Sequence, residues 1–327
     1  MGQILLNPGP TNTRVITKLK QWIGSDVCHR TEGFESVLLN LKTSLASRFG
    51  DESFNIAVLA GSGTAALDAM ISSLGTNNMT IIDAGSYGAR ACDIATTYNI
   101  SHARIISKTI DDLSFNEGVE LVYFVENETS TGEHYDLSRM CEIYPNAKFM
   151  IDATSSFGAS EYHGLHEKIA AISFCSNKCL QSTPGLGVVI WHPSMKTEKR
   201  SYYGFLELYK DKLPFTLPVQ SVYSLDETMK HNKGNKKIFD KRMSRLIDCF
   251  FKMGINCLNT HPSNSVAAFR HPSKSYDELR EFLFQKGIVI YSGVPSISNS
   301  FRVSTMSVDF DRKFKKIEGA FRDSCIH

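Results

Sequence analysis

No stretch of this chain is apolar for long enough to cross a bilayer as a helix, and its first residues lack the pattern of a secretory signal. An excess of charge of one sign is missing too. The chain has 36 Lys and Arg against 34 Asp and Glu, a formal net charge of +2. It has no basic run and no basic amphipathic stretch, which excludes the electrostatic footprint of a nucleic-acid or membrane-surface binder. Internal repeats and low-complexity tracts are absent. The eight cysteines (Cys28, Cys92, Cys141, Cys175, Cys179, Cys249, Cys257 and Cys325) contain no Cys-x-x-Cys pair, so a zinc site has no support. At 327 residues the chain buries a large core without needing disulfides. Free thiols in a reducing cytoplasm are the expectation. Met1-Gly2 would open a myristoylation signal, but Leu6 stands where that signal requires Ser or Thr.

What the chain does have is a stretch from Phe149 to Gly187 with two apolar runs of strand length, each leading to one charged residue. The first reads Phe149-Met150-Ile151-Asp152-Ala153-Thr154-Ser155-Ser156-Phe157-Gly158. The second reads Ile169-Ala170-Ala171-Ile172-Ser173-Phe174-Cys175-Ser176-Asn177-Lys178, followed by Pro184-Gly185-Leu186-Gly187. In an open α/β sheet, ligands bind at the carboxyl ends of strands. Asp152 and Lys178 are either a buried strand-end salt bridge or a carboxylate and an amine facing one small molecule. Pyridoxal phosphate asks for that pair: a lysine to form a Schiff base with its aldehyde, and an acid to keep its pyridine nitrogen protonated. Cys175 and Cys179 flank Lys178 and are read as packing residues, with a catalytic thiol as the alternative.

Asp-Ala-x-Ser-Ser-Phe-Gly followed by Ser-x-Asn-Lys-Cys-x-Gln-x-x-Pro-Gly resembles the class V aminotransferases of pyridoxal-phosphate fold type I. Within that class the resemblance is strongest to the transaminases of 2-aminoethylphosphonate and pyruvate. It covers nearly the whole chain and is thinnest around residues 100–120 and 195–235. The resemblance implies that Lys178 carries the cofactor and moves the proton between substrate and cofactor carbons. It implies that Asp152 stays ionised beside the pyridinium.

Asn55 to Leu59, Ala60-Gly61-Ser62-Gly63-Thr64 and a helix through Leu74 make a strand, a glycine turn and a helix, with the backbone N–H groups of a helix N-terminus exposed to an anion. Taken locally, Gly61-Ser62-Gly63-Thr64-Ala65-Ala66, with Asp83 ending the strand Thr80-Ile81-Ile82, also matches a dinucleotide fingerprint. That reading leaves Asp152 and Lys178 without a role. The resemblance instead assigns Ser62, Gly63 and Thr64 to the cofactor phosphate. It assigns Tyr87, in Asp83-Ala84-Gly85-Ser86-Tyr87-Gly88-Ala89-Arg90, to stacking on the ring, the alternative being a tyrosine that covers a loop. Asn177 adjoins Lys178 and is taken with it. The buried strand Leu121 to Val125 leads into Glu126-Asn127-Glu128-Thr129-Ser130-Thr131-Gly132, which is similar to the family's Glu-(Ser/Thr)-(Ser/Thr)-Thr-Gly loop. Thr129 is the hydroxyl matched to the cofactor's phenolic oxygen. Thr216, in Thr216-Leu217-Pro218, matches a threonine that reaches the phosphate of the partner subunit's cofactor. A neighbouring tyrosine of the glyoxylate-type relatives is replaced by Leu213.

Strand, turn and helix repeat through this region, and Gly187 to Trp191 is another buried strand. The fold class expected is α/β, the pyridoxal-phosphate transferase fold type I: a large domain whose mostly parallel sheet is flanked by helices, plus a small C-terminal α+β domain. Residues 1–14 are expected to be an extended arm around Asn7-Pro8-Gly9-Pro10, residues 15–235 the cofactor-binding domain, and residues 236–327 the small domain. Phe34 to Phe49 has helical periodicity. Phe239 to Met253 is an amphipathic helix with Lys241, Arg242 and Arg245 on its solvated side. Ser265 to Phe269, Ile288 to Tyr291 and Phe301 to Ser304 read as strands. Ser275-Tyr276-Asp277-Glu278 is a capping box opening a helix that Gly287 stops. Arg302 is matched to the family arginine that grips the substrate anion, a role suited to a planar guanidinium. Its alternative is a surface arginine on a strand. His29-Arg30 is a further candidate for substrate contact.

The reaction expected is transfer of an amino group from 2-aminoethylphosphonate to pyruvate, giving phosphonoacetaldehyde and alanine. Alanine– or serine–glyoxylate transamination is the nearest alternative. Further from it stand a lyase or desulfurase on the same fold, and a non-enzymatic binding protein that kept the fold. The partners expected are a small amino donor, a keto acid and a second copy of the chain sharing its active sites. No metal, nucleic acid or membrane is expected.

Overall fold

The apolar runs become strands because each is flanked on both sides by something that must be buried. The computed structural model describes residues 3–232 and 236–326; Met1-Gly2 and the expected boundary at residue 235 fall outside or beside the described residues. Seven strands form one sheet: β1 (Asn55–Ala60), β2 (Met79–Asp83), β3 (His102–Ile106), β4 (Leu121–Val125), β5 (Lys148–Asp152), β6 (Ile169–Cys175) and β7 (Leu186–Trp191). Their spatial order is β1-β7-β6-β5-β4-β2-β3. The expected mostly parallel sheet is observed. Among the described strands of this sheet β7 alone runs antiparallel, to β1 and to β6, because the loop of residues 176–185 that joins it to β6 contains no crossover helix.

Alternate residues of one strand face opposite layers. Val122 and Phe124 of β4 join one core; Leu121, Tyr123 and Val125 join the other. Both faces are therefore apolar, which is why the runs read as continuous rather than alternating. The first layer is closed by α2 (Glu32–Phe49), whose Leu38, Leu41, Leu45 and Phe49 point at the sheet, together with α5 (Leu137–Ile143) and α6 (Val219–His231). The opposite layer is closed by α3 (Gly63–Leu74) and α4 (Ser86–Thr97). α1 (Val15–Ile23), which the sequence reading did not anticipate, packs beside α6.

A second, four-stranded antiparallel sheet contains β8 (Val266–Arg270) and β9 (Ser300–Ser304), with Asn256–Cys257 and Tyr291–Ser292 at its edges. α7 (Lys236–Phe251), α8 (Tyr276–Gln285) and α9 (Phe310–Ile326) pack on it around Phe250, Phe269, Phe301 and Phe321. The Ser275–Glu278 capping box forms as read, and Gly287 ends that segment at a φ of 75°. Arg242 is corrected. It is buried, not solvated: its guanidinium donates to Asp311 and to the carbonyls of Thr305 and Ser307, so α7 contributes a cation that locks the start of α9. The N-terminal arm belongs to this second core. Ile4–Leu5 pair in parallel with Ile288–Val289, Ile4 and Leu6 are buried, and Leu6 O accepts from Ser304 N.

Candidate active site

Parallel strands deliver their carboxyl ends to one edge of the sheet, and the predicted residues gather there. Asp152 ends β5, level with Val125 of β4 and Ser173 of β6. It is nearly fully buried, and its Oδ1 accepts the Thr154 N–H at 2.8 Å. Lys178 lies in the turn beyond β6 rather than on the strand itself. The strand-end salt bridge that the sequence left open does not form: among the described residues Asp152 has no ion-pair partner. Lys178 Nζ donates instead to Pro8 O at 2.6 Å. Gly9 is packed on that side chain, where an added Cβ would stand 2.7 Å from Lys178 Cε.

A cavity of about 170 Å³ separates these groups. Ser62, Gly63, Thr64, Leu67, Tyr87, Arg90, Asp152, Thr154, Cys175, Asn177 and Lys178 line it. A larger surface groove between α7 and α9 shares no residue with it. Ser62 is the N-cap of α3, and its side chain makes no capping bond. The first backbone N–H groups of the helix, at Gly63 and Thr64, are thus offered to the cavity as an anion cradle. Gly63 has to be glycine here, since a Cβ would lie 2.9 Å from Thr154 Oγ1.

Burial pushes the Asp152 carboxyl above the usual carboxylate range, opposed by its bonds to Thr154 and by the charges of Lys178 and Arg90. The ionised state expected from the sequence therefore depends on a cation set against it within the cavity. A protonated pyridine nitrogen meets that demand. The cradle suits a phosphate, the Lys178 amine suits an aldehyde, and Tyr87 supplies an aromatic face, so the residues present fit pyridoxal phosphate.

Of the predicted residues, Thr129, Thr216 and Arg302 are not part of this lining. Arg302 and Thr129 come together: Arg302 Nη1 donates to Thr129 O, and Nε to Ser292 O. Nη2 has no partner among the described residues, so one edge of the guanidinium is left for a ligand. Thr216 is exposed, stands 3.5 Å from His29 Nε2 and does not line its own chain's cavity. Arg30 is exposed beside it. The sequence reading missed Arg90, whose Nη1 donates to Thr64 Oγ1 at 3.1 Å and whose guanidinium lies 4.9 Å from the Tyr87 ring centre. The signal was available: Arg90 stands three residues after Tyr87 on α4, hence on the same helix face. Thr154 was also missed; its N–H reaches the Asp152 carboxylate from two residues along the chain, a local turn pattern that Asp side chains commonly make.

No family model matches the chain. Comparison with known proteins gives full-length similarity all the same. A 2-aminoethylphosphonate–pyruvate transaminase of Vibrio cholerae is 26% identical, over 98% of this chain and 96% of that protein. A Thermus thermophilus aspartate aminotransferase of subgroup IV superposes with a TM-score of 0.88 at 24% identity, covering 98% of each chain. The chain has an aminotransferase fold. An alanine–glyoxylate aminotransferase from Nostoc superposes with a TM-score of 0.84 at 17% identity, covering 100% of this chain and 96% of that one. The resemblance read from the Asp152 and Lys178 motifs is borne out. So are the fold class, the enzyme class and the cofactor that the motifs implied for this aminotransferase fold.

Proposed function

We propose that this chain transfers the amino group of 2-aminoethylphosphonate to pyruvate. The observation that carries the reading is the placement of a buried carboxylate, a lysine amine with no ion-pair partner among the described residues and a helix N-terminus around one cavity, beside an arginine whose Nη2 has no partner among them. Pyridoxal phosphate, when bound, supplies an aldehyde for the amino group and a ring that draws electrons from the neighbouring carbon. Asp152 holds the proton on the ring nitrogen. Tyr87 and Leu67 line the cavity and would face the ring, and the Gly63 and Thr64 N–H groups would hold the phosphate, with Arg90 adding a positive charge beside Thr64. Lys178 Nζ acts as base toward the donor carbon and then returns the proton as acid. Arg302 orients the donor by its anionic end, the role for which a guanidinium is suited. The named relative supports the phosphonate as donor; the alanine–glyoxylate neighbour supports alanine or serine as the second reading.

A homodimer is part of the proposal. α1 turns Val15, Ile16, Leu19, Trp22 and Ile23 to solvent, and Trp22 is 83% exposed. These positions make one helical stripe. A second copy seated there would cover it and give the neighbouring Thr216 and His29 a cavity to serve. The reducing cytoplasm remains the proposed compartment, since all eight cysteines are free thiols. The small number of exposed thiols speaks against a desulfurase: Cys257 sits on a strand and Cys325 in α9.

The test is the visible spectrum of the cofactor-loaded protein during addition of 2-aminoethylphosphonate. Loss of the yellow band, restored by pyruvate and absent in Lys178→Ala, is the expected result. A yellow protein that responds only to alanine or serine replaces the donor. A Lys178→Ala protein that transaminates at the normal rate sinks the mechanism.

A further inference from the structure

The loop after β4 holds a buried carboxylate for which the reaction as described has no use. Glu128 is fully buried, and each of its oxygens receives two donors. Oε2 accepts the N–H groups of Tyr87 at 3.1 Å and Gly88 at 3.2 Å, the first turn of α4. Oε1 accepts the N–H of Ser130 at 3.0 Å and its hydroxyl. The Ser130 hydroxyl oxygen in turn accepts the Ser86 N–H at 2.9 Å. Gly85 leaves the room required, for a Cβ there would be 2.9 Å from the Glu128 carboxyl carbon. No salt bridge balances the charge among the described residues. The N-terminal N–H groups of α4 do so instead.

Burial pushes the Glu128 carboxyl above its ordinary range against the pull of these bonds, so keeping it ionised works against folding. Among the described residues four donors and no acceptor bond the head group, which only a carboxylate satisfies. A buried charge held at that cost is informative, because core packing alone would favour an apolar residue. What the bonds fix is equally specific. On one side they set the backbone of Tyr87, which lines the cavity. On the other they set the loop whose next carbonyl, Thr129 O, holds Arg302.

We infer that Glu128 is the positioning residue that locks the ring-facing Tyr87 and the anion-gripping Arg302 into one register. The inference deepens the proposed function and rests on it. Glu128→Gln is the decisive variant. It keeps the volume but places an amide NH₂ against donors, so one of the two pairs must part. Its expected effect on the folded protein is a roughly tenfold weaker affinity for pyridoxal phosphate, about the loss of one charge-assisted hydrogen bond. The induced circular dichroism of the bound cofactor should fall, because the ring loses its fixed face. KM for the anionic donor should rise by more than kcat falls. Glu128→Asp keeps an acceptor-only head and should recover part of all three. Ser130→Ala removes one of the four donors to Glu128 and the acceptor of the Ser86 N–H, and should show the same changes more weakly, which serves if Glu128→Gln does not fold.

A folded Glu128→Gln protein with wild-type cofactor affinity, dichroism and KM overturns the inference, even if its melting temperature falls. Equal losses in the Gln and Asp variants overturn it too, since bulk packing would then account for both. A wild-type protein that binds no pyridoxal phosphate refutes instead the functional reading underneath, and the inference with it.

Discussion

Replacing Gly9 with alanine tests whether the N-terminal arm positions the lysine or merely passes by. Gly9 has a φ of 140°, and the ideal Cβ would lie 2.7 Å from Lys178 Cε, 2.8 Å from Cδ and 3.0 Å from Nζ. Two effects follow, and they separate cleanly. Backbone strain at a left-handed position costs about 1–3 kcal/mol in stability. In a chain of this size that lowers the melting temperature by roughly 2–6 °C. The steric conflict is relieved at little further cost, because its partner is a flexible side chain. Lys178 must then recede by about 0.7 Å to reach ordinary contact, and its 2.6 Å bond to Pro8 O is broken or turned. A misplacement near 1 Å at a reacting group costs on the order of a hundredfold in rate, so kcat should fall roughly 10- to 100-fold. The assay is kcat at saturating cofactor and both substrates, beside a thermal melt of the same preparation. A variant with the lowered melting temperature but kcat within about twofold of wild type would refute the reasoning. The Pro8 carbonyl would then be an incidental acceptor.

Trp22→Glu puts a charge in the middle of the exposed α1 stripe; light scattering should report a monomer, with activity lost as Thr216 no longer reaches a partner, and an unchanged dimer would refute the proposed interface. Acid should weaken the second core through His271, which is buried and held neutral with its pKa lowered from 6.5 to about 4, by burial first and Lys274 second. Its Nδ1 accepts the N–H groups of Ser273 and Lys274, and its Nε2 donates to Ser324 Oγ, so a second proton has no place. The unfolded chain binds that proton more readily. The stability held above the unfolded value is therefore lost as pH falls from 6.5 toward 4, about 2 kcal/mol of it by pH 5. Urea melts at pH 7 and pH 5 should show this difference in wild type and lose it in His271→Gln; an equal difference in both would assign the acid sensitivity elsewhere.

Much of this molecule was settled along the chain. Apolar runs such as Leu121–Val125 read as buried strands because both faces of the sheet are covered. The Gly61-Ser62-Gly63 turn, the Ser275 capping box and the charged residues at the end of one strand and just beyond another are local patterns, and local patterns survive folding. Tertiary structure decided what depends on partners distant in sequence. Residue periodicity reports which side of an element is buried, not what waits there. Arg242 therefore read as solvated until α9 was packed over it. The antiparallel direction of β7 is set by its connection, which its composition does not record. Lys178 meets the Pro8 carbonyl across 170 residues of chain, and Glu128 meets α4 across about 40. The chemistry was legible as residue types; its geometry required the sheet to bring five strand ends to one edge.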